Sequence, residues 1–87
     1  MANYKVVLKQ SVAKDFRPIP RQEAQRILAR IESLAEDPRP SGAEKLSAQE
    51  RYRIRQGVYR ILYEIRDHET VVVVVKVGHR RHGYRNG

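Results

Sequence analysis

The stretch "ERYRIRQGVYRILYEI", Glu50 to Ile65, decides the fold, because apolar and charged residues alternate along it on both sides of a glycine. Side chains alternate across a β-strand, so this pattern predicts a hairpin with one buried face and one cationic face. The residues expected on the buried face are Tyr52, Ile54, Tyr59, Ile61, Tyr63 and Ile65. Those expected on the cationic face are Arg51, Arg53, Arg55 and Arg60.

These arginines need an explanation, because like charges that face each other across two strands weaken the pairing. A two-residue turn at Gln56-Gly57 would set Arg53 directly opposite Arg60, and a four-residue loop would keep that pairing. A solvated outer face is one interpretation. The other is an anion-binding surface, since a planar guanidinium binds phosphate through two hydrogen bonds and stays charged at any working pH. We favour the second interpretation and expect the anion to be a phosphodiester.

The sequence before the hairpin predicts a strand followed by two helices. Tyr4 to Leu8, "YKVVL", is rich in β-branched and aromatic residues and predicts the strand. Ser11 to Phe16 predicts a short helix with Ser11 as its cap. Apolar residues at helical spacing then predict an amphipathic helix from Pro20 to about Glu36, before Pro38.

Three strands are predicted in the second half of the chain, joined by tight turns. They run from Arg51 to Gln56, from Tyr59 to Asp67 and from Thr70 to Val77, with a turn at Asp67 to Glu69 between the last two. The run "VVVVVKV" in the last of them predicts a central strand that is buried on both faces. The whole order is β-α-α-β-β-β, an α+β arrangement with antiparallel hairpins.

Length and charge narrow the classes of function. The 87 residues suit a single domain, and the net charge of +8 with a pI near 10.3 favours a polyanionic partner. Nucleic acid or a nucleoprotein fits best, an acidic protein is the alternative, and a membrane surface fits less well. Cysteine is absent, which excludes a disulfide framework and a thiolate metal site.

The chain shows no targeting or membrane-spanning pattern. Its start, "MANYKVVLKQ", lacks the apolar run of a secretory signal. The longest apolar stretch, Val71 to Val75, is far shorter than the roughly 20 residues that cross a bilayer. We therefore expect a soluble protein of the cytoplasm that does not bind membranes.

The C-terminal stretch "KVGHRRHGYRNG", from Lys76 onward, adds groups that can move protons to further cations. Histidine titrates near neutral pH, and surrounding arginines favour the phenolate form of a tyrosine, so either could act as acid or base. A disordered basic tail is the alternative. His79 and His82 alone would make a weak metal site, and we expect neither a metal nor a cofactor.

The motifs "YRIRQGVYRILYEI" and "VVVKVGHRRHGY", with the predicted order of elements, resemble the RelE/ParE superfamily of bacterial toxins from toxin–antitoxin pairs. The RelE branch looks closer. The resemblance implies a small RelE-like fold over residues 1–87, with a mainly antiparallel four-stranded sheet and two N-terminal helices packed on one face. It also implies a cognate antitoxin, which we expect to contribute an acidic or amphipathic segment that folds on binding.

RelE-like toxins are ribosome-dependent endoribonucleases, so the resemblance implies a metal-independent enzyme that cuts mRNA in the decoding site and stops translation. The ribose 2′-hydroxyl would attack the adjacent phosphate. By position, the catalytic residues would be Arg53, Arg55, Arg60, Arg80 and Tyr84. The residues expected to contact RNA are Lys45, Arg51, His79, Arg81 and His82.

Alternatives remain open for the groups that transfer protons and for the class of function. The best-known members of the family carry lysines where this chain has Arg53 and Arg55, and arginine is a poor proton donor. Tyr84 and the histidines therefore remain as candidates for proton transfer. The competing class of function is a binding protein without catalysis, either a ParE-like inhibitor of DNA gyrase or an inactive toxin that retains antitoxin binding.

Overall fold

A computed structural model of the protein describes residues 3–46 and 50–79. Two helices and a mixed sheet of five strands form the fold. The helices are α1 (Gln10–Phe16) and α2 (Arg21–Ser33). The strands are β1 (Lys5–Leu8), β2 (Glu44–Lys45), β3 (Arg51–Gln56), β4 (Tyr59–Arg66) and β5 (Val71–His79), and they lie in the order β1-β5-β4-β3-β2. A 3₁₀ turn, Asp67–Glu69, connects β4 to β5.

The predicted α+β fold is confirmed, with one addition. The pairs β2–β3, β3–β4 and β4–β5 are antiparallel, and β1 joins β5 in parallel. The four predicted strands are all present, and the fifth is β2, a two-residue edge strand in the loop before the hairpin. So short a strand leaves no hydrophobic alternation to read, which is why the sequence does not predict it.

Both helices cover the same face of the sheet, which we call the helix face. The core joins residues of α1 and α2, among them Val12, Ile27 and Ile31, to the hairpin residues that were predicted to be buried. Ile54, Ile61 and other aliphatic side chains of this core are almost fully inaccessible to solvent. The predicted buried face of the hairpin is thus confirmed, and the side chains of its arginines lie on the opposite, outer face.

The central strand β5 is buried on both faces, as predicted, but it contains an irregularity. Val72 and Val74 pack in the core below the helices, while Val73 is buried on the outer face. Tyr63 pairs with Val74 and Leu62 pairs with Lys76, so the ladder holds one extra residue between them. Because of this bulge Val77 follows Val72 and Val74 in the core, at the place where strict alternation would have directed the side chain of Lys76.

The helices begin and end close to the predicted residues. Pro20 is the N-cap of α2, and the helix ends at Ser33, about one turn before the predicted Glu36. The prediction that Ser11 caps α1 is wrong, because the N-cap is Lys9 and no side chain closes this helix end. Among the described residues, no helix combines the length and the apolar character needed to cross a membrane.

Candidate functional site

The outer face of the hairpin brings together the four arginines Arg51, Arg53, Arg55 and Arg60, which we call the arginine face. Arg55 lies directly opposite Arg60. The predicted pairing of Arg53 with Arg60 is wrong, since Arg53 faces Leu62. The expectation that two arginines meet across the strands nevertheless holds, for a different pair.

The position of the turn explains this difference in register. Gln56 pairs with Tyr59, so the two turn residues are Gly57 and Val58 rather than Gln56 and Gly57. Gly57 has a φ of +62° and opens the turn, as type II′ hairpins require of their first central residue. A turn one residue later moves each residue of β3 relative to β4, and Arg55 takes the place opposite Arg60.

The neighbours of Arg60 make the surface around it partly apolar. Gly78 pairs with Arg60 from β5, so the strand beside the arginine presents no side chain there. Leu62 and Val73, on the same outer face, are both buried. The outer face is therefore not uniformly cationic: Arg55 and Arg60 lie next to the hairpin turn, and the apolar side chains of Leu62 and Val73 lie further from it.

Two carboxylates lie against the arginine face. Glu64 of β4 pairs with Arg51, and Glu44 of β2 pairs with Arg53. Hydrogen bonds from the guanidinium of Arg51 lower the pKa of Glu64, and hydrogen bonds from that of Arg53 lower the pKa of Glu44. Within strands β3 and β4 the one acidic residue is Glu64, so Glu44, from β2, is a counter-charge that the sequence did not indicate.

Lys45 and His79 do not lie with the arginines. Lys45 pairs with Tyr52 in the ladder, which places it on the helix-face side of β2, and its ammonium group lies 3.1 Å from a carboxylate oxygen of Glu50. His79 pairs with Tyr59 and contacts its ring edge-on, with 5.6 Å between the ring centroids. The structure therefore brings Arg51, Arg53, Arg55 and Arg60 together, and it places Lys45 and His79 on the other face.

His79 borders a groove of about 400 Å³ on the helix face. In this groove Asp15 of α1 accepts a hydrogen bond of 3.0 Å from the backbone N–H of Val77 and lies 3.6 Å from the ammonium group of Lys76. β5 extends beyond its partner β1 here, so Asp15 satisfies a backbone donor at the edge of the sheet. The position of Asp15 is therefore accounted for by a structural role, the pairing of a backbone N–H group.

Four predicted site residues lie outside the described residues: Arg80, Arg81, His82 and Tyr84. The described chain ends at His79, which is paired with Tyr59, the neighbour of Arg60 in sequence. Within residues 3–46 and 50–79, no group of three or more histidine, cysteine or acidic side chains could hold a metal ion.

Arg39 organises the loop that leads to β2. Its guanidinium lies 2.8 Å from Asp67 and 2.9 Å from Glu50, and it donates a hydrogen bond of 3.0 Å to the hydroxyl of Tyr52. The buried phenol of Tyr63 donates a further hydrogen bond of 2.7 Å to the carbonyl of Pro38. These bonds hold the loop against β3 and β4, and thereby fix the path of the chain that leads to Glu44.

Replacing Arg39 with alanine should make the stability of the protein less sensitive to acid. Hydrogen bonds from Arg39 lower the pKa values of Asp67 and Glu50, so these carboxylates stabilise the fold above their unfolded pKa of about 4. That stabilisation is lost as the pH falls through the lowered values. We expect Arg39→Ala to have a lower urea midpoint at pH 7 and a smaller further loss between pH 6 and pH 3.

The control for this measurement is Arg26→Ala, which removes an exposed pair with Glu23 on α2, at 3.6 Å. Such surface pairs contribute little, so its urea midpoint should follow the parent protein across the pH range. Equal acid sensitivity of Arg39→Ala and the parent would show that Arg39 does not hold the loop.

Comparison with known proteins points to one family. A family model described as the ParE toxin of the type II toxin–antitoxin system parDE matches residues 6–84. A search of curated proteins found no match.

Solved structures of toxin–antitoxin complexes are similar to this chain. The archaeal RelE–RelB complex from Pyrococcus horikoshii matches with a TM-score of 0.78 at 24% identity, over 92% of this chain and 97% of that one. The RelBE2 complex from Mycobacterium tuberculosis matches with a TM-score of 0.65 at 29% identity, over 92% and 94%. The intact RelBE complex of E. coli matches with a TM-score of 0.76 at 22% identity, over 87% and 95%.

Proposed function

The chain belongs to the ParE toxin family of the RelE/ParE superfamily, and from this premise we propose that it is a ribosome-dependent endoribonuclease that cuts mRNA in the decoding site. It is a toxin of a toxin–antitoxin system, and its protein partner is an antitoxin. The ribosome and its bound mRNA are the proposed targets. The likeness to RelE structures supports the choice of this branch.

The observation that carries the proposal is the meeting of Arg55 and Arg60 across the hairpin, with Arg53 on the same face. Like charges in directly opposed positions destabilise a sheet, so a bound anion would relieve a repulsion that folding alone does not require. Guanidinium groups bind the oxygens of a phosphodiester through paired hydrogen bonds.

The proposed reaction is attack by a ribose 2′-oxygen on the adjacent phosphorus. The bond from phosphorus to the 2′-oxygen forms as the bond to the 5′-oxygen breaks, leaving a 2′,3′-cyclic phosphate and a 5′-hydroxyl. Arg60 and Arg80 bind the non-bridging oxygens and stabilise the extra negative charge of the transition state. Arg53 and Arg55 position the RNA backbone.

Two proton transfers accompany this step. The phenolate of Tyr84 takes the proton of the 2′-hydroxyl as general base, and neighbouring cations favour the phenolate form. The departing 5′-oxygen receives a proton from the imidazolium of His82. His82 suits this role better than His79, whose ring packs against Tyr59 on the helix face.

Inhibition of DNA gyrase is the second candidate function, because the family model that matches the chain is named for ParE. It needs no catalytic tyrosine and no phosphate site on the hairpin. In this case the arginine face would serve only to bind the antitoxin or another acidic protein surface.

Expression of the chain without its antitoxin separates the two functions in a bacterial cell. We expect incorporation of radiolabelled amino acids to stop within minutes while the DNA-damage response stays at its basal level. Induction of the DNA-damage response with translation continuing would favour gyrase and overturn the proposal. Expression with the antitoxin is the control.

A further inference from the structure

The contact between Glu44 and Arg53 occupies the atoms that a phosphate would use. The carboxylate oxygen Oε1 of Glu44 accepts a hydrogen bond of 3.0 Å from Nε of Arg53 and a second one from Nη2. Two neighbouring N–H groups of one guanidinium thus converge on one anionic oxygen. Arginine holds phosphate oxygens with this same edge.

The loop before β2 is built to place Glu44 there. Gly42 has a φ of +96°, a backbone conformation that favours glycine, and the N–H of Ala43 donates to the carbonyl of Pro40 at 3.0 Å. The chain then enters β2 with Glu44 in register with Arg53. The contact therefore follows from the backbone pairing of β2 and β3 and does not depend on a long side chain reaching by chance.

The contact is also easy to open. The side chain of Glu44 is 54% exposed, and it belongs to a strand of two residues at the edge of the sheet. By contrast, the side chain of Glu64 is 23% exposed, lies in the middle of the sheet and pairs with Arg51 and Arg66. Of these two carboxylates on the arginine face, Glu44 is the one that a ligand can displace at little cost.

The negative charge of Glu44 acts on more than one arginine. Hydrogen bonding to Arg53 is the main cause of its lowered pKa, and the charges of Arg55 and Arg60 lower it further. The group therefore remains ionised at neutral pH. A phosphodiester that approaches these arginines meets a like charge already in place.

We propose that Glu44 is an internal competitor of the RNA backbone, which covers the phosphate-binding edge of Arg53 in the free toxin and leaves when RNA binds. The inference rests on the proposed function, because it takes RNA to be the ligand of the arginine face. As a consequence, the toxin should bind RNA without ribosomes more weakly than it would without this carboxylate, because an RNA phosphate must displace Glu44 before it can contact Arg53.

The test compares Glu44→Gln with the parent protein in binding a fluorescently labelled single-stranded RNA, without ribosomes, by anisotropy. Glutamine keeps the shape of glutamate and removes its charge. Because exposed ion pairs are weak, we expect binding to become tighter by about two- to fivefold at low salt. Since the variant lacks the carboxylate that neutralises Arg53 in the free protein, the dependence of log K on log salt should also become steeper.

Two controls make the result specific. Glu32→Gln changes the net charge equally at an exposed position on α2, away from the arginine face, and should leave the affinity near that of the parent. In an Arg53→Ala background, Glu44→Gln should have a smaller effect than in the parent. Unchanged or weaker RNA binding by Glu44→Gln, or an equal gain in Glu32→Gln, would overturn the inference.

A parallel assay of mRNA cleavage on ribosomes separates this inference from the proposed function. If the parent cuts mRNA and Glu44→Gln binds RNA no more tightly, the role of Glu44 is wrong and the function stands. If Glu44→Gln binds RNA more tightly but the parent does not cut mRNA, the competition is real and the proposed catalysis is wrong.

Discussion

Replacing Arg60 with alanine should lower the rate of mRNA cleavage on ribosomes by on the order of 10²–10³-fold, by analogy with the loss of one donor to a developing oxyanion. Arg60 is the arginine that we assign to the non-bridging oxygens, and it lies opposite Arg55 in the ladder. Single-turnover cleavage measures the effect on the chemical step without the contribution of product release.

The same variant should remain folded. The core residues on either side, Tyr59 and Ile61, keep their places on the helix face. Removing one of two opposed arginines also relieves a repulsion of roughly 0.2–1 kcal/mol, which offsets the packing that the arginine side chain provided. Urea denaturation should therefore give a free energy of unfolding within about 1 kcal/mol of the parent.

The matched control is Arg66→Ala, which removes an arginine from the same strand and the same face. Arg66 lies six residues from Arg60, or about 20 Å along β4, and pairs with Glu64 at 3.4 Å. We expect it to cut at nearly the parent rate. Equal losses in Arg60→Ala and Arg66→Ala, or parent activity in Arg60→Ala, would remove Arg60 from the catalytic assignment.

An mRNA with a single 2′-deoxyribose at the attacked nucleotide should give no cut product at that position. The proposed nucleophile is the 2′-oxygen itself, and no other group in the mechanism replaces it. In the proposed mechanism the arginine face contacts phosphate oxygens, so the deoxy substrate should bind the toxin–ribosome complex about as well as the ribose form.

Competition measures that binding directly. An excess of ribosomes programmed with the deoxy mRNA should inhibit cleavage of the ribose form. Cutting at the deoxy position would exclude the 2′-hydroxyl mechanism, whereas loss of competition would show that the 2′-hydroxyl acts in binding.

The alternating pattern around Arg53 and Ile54 was enough to predict which side chains are buried, since strand periodicity ties each residue to one face. The pairing register of β3 and β4 depends in addition on the exact position of the turn. Gly57 is the residue that can open a type II′ turn at positive φ, and assigning it that place would have paired Arg55 with Arg60 from the sequence alone.

The counter-charges could not be predicted in this way. Glu44 reaches Arg53 through a two-residue strand, and Arg39 contacts Asp67 across 28 positions of sequence. The bulge before Lys76 likewise depends on how β5 fits β4. Such features follow from tertiary packing and leave no local periodicity, so the sequence indicated an arginine cluster but not Glu44, the carboxylate that pairs with Arg53.

The most direct test of the proposed function uses purified ribosomes programmed with a defined mRNA, the purified toxin and, in a parallel reaction, DNA gyrase with relaxed plasmid. We predict mRNA cleavage within the decoding site only when ribosomes are present, with a 2′,3′-cyclic phosphate and a 5′-hydroxyl at the new ends, and normal supercoiling by gyrase. Intact mRNA on ribosomes together with inhibited supercoiling would contradict the account.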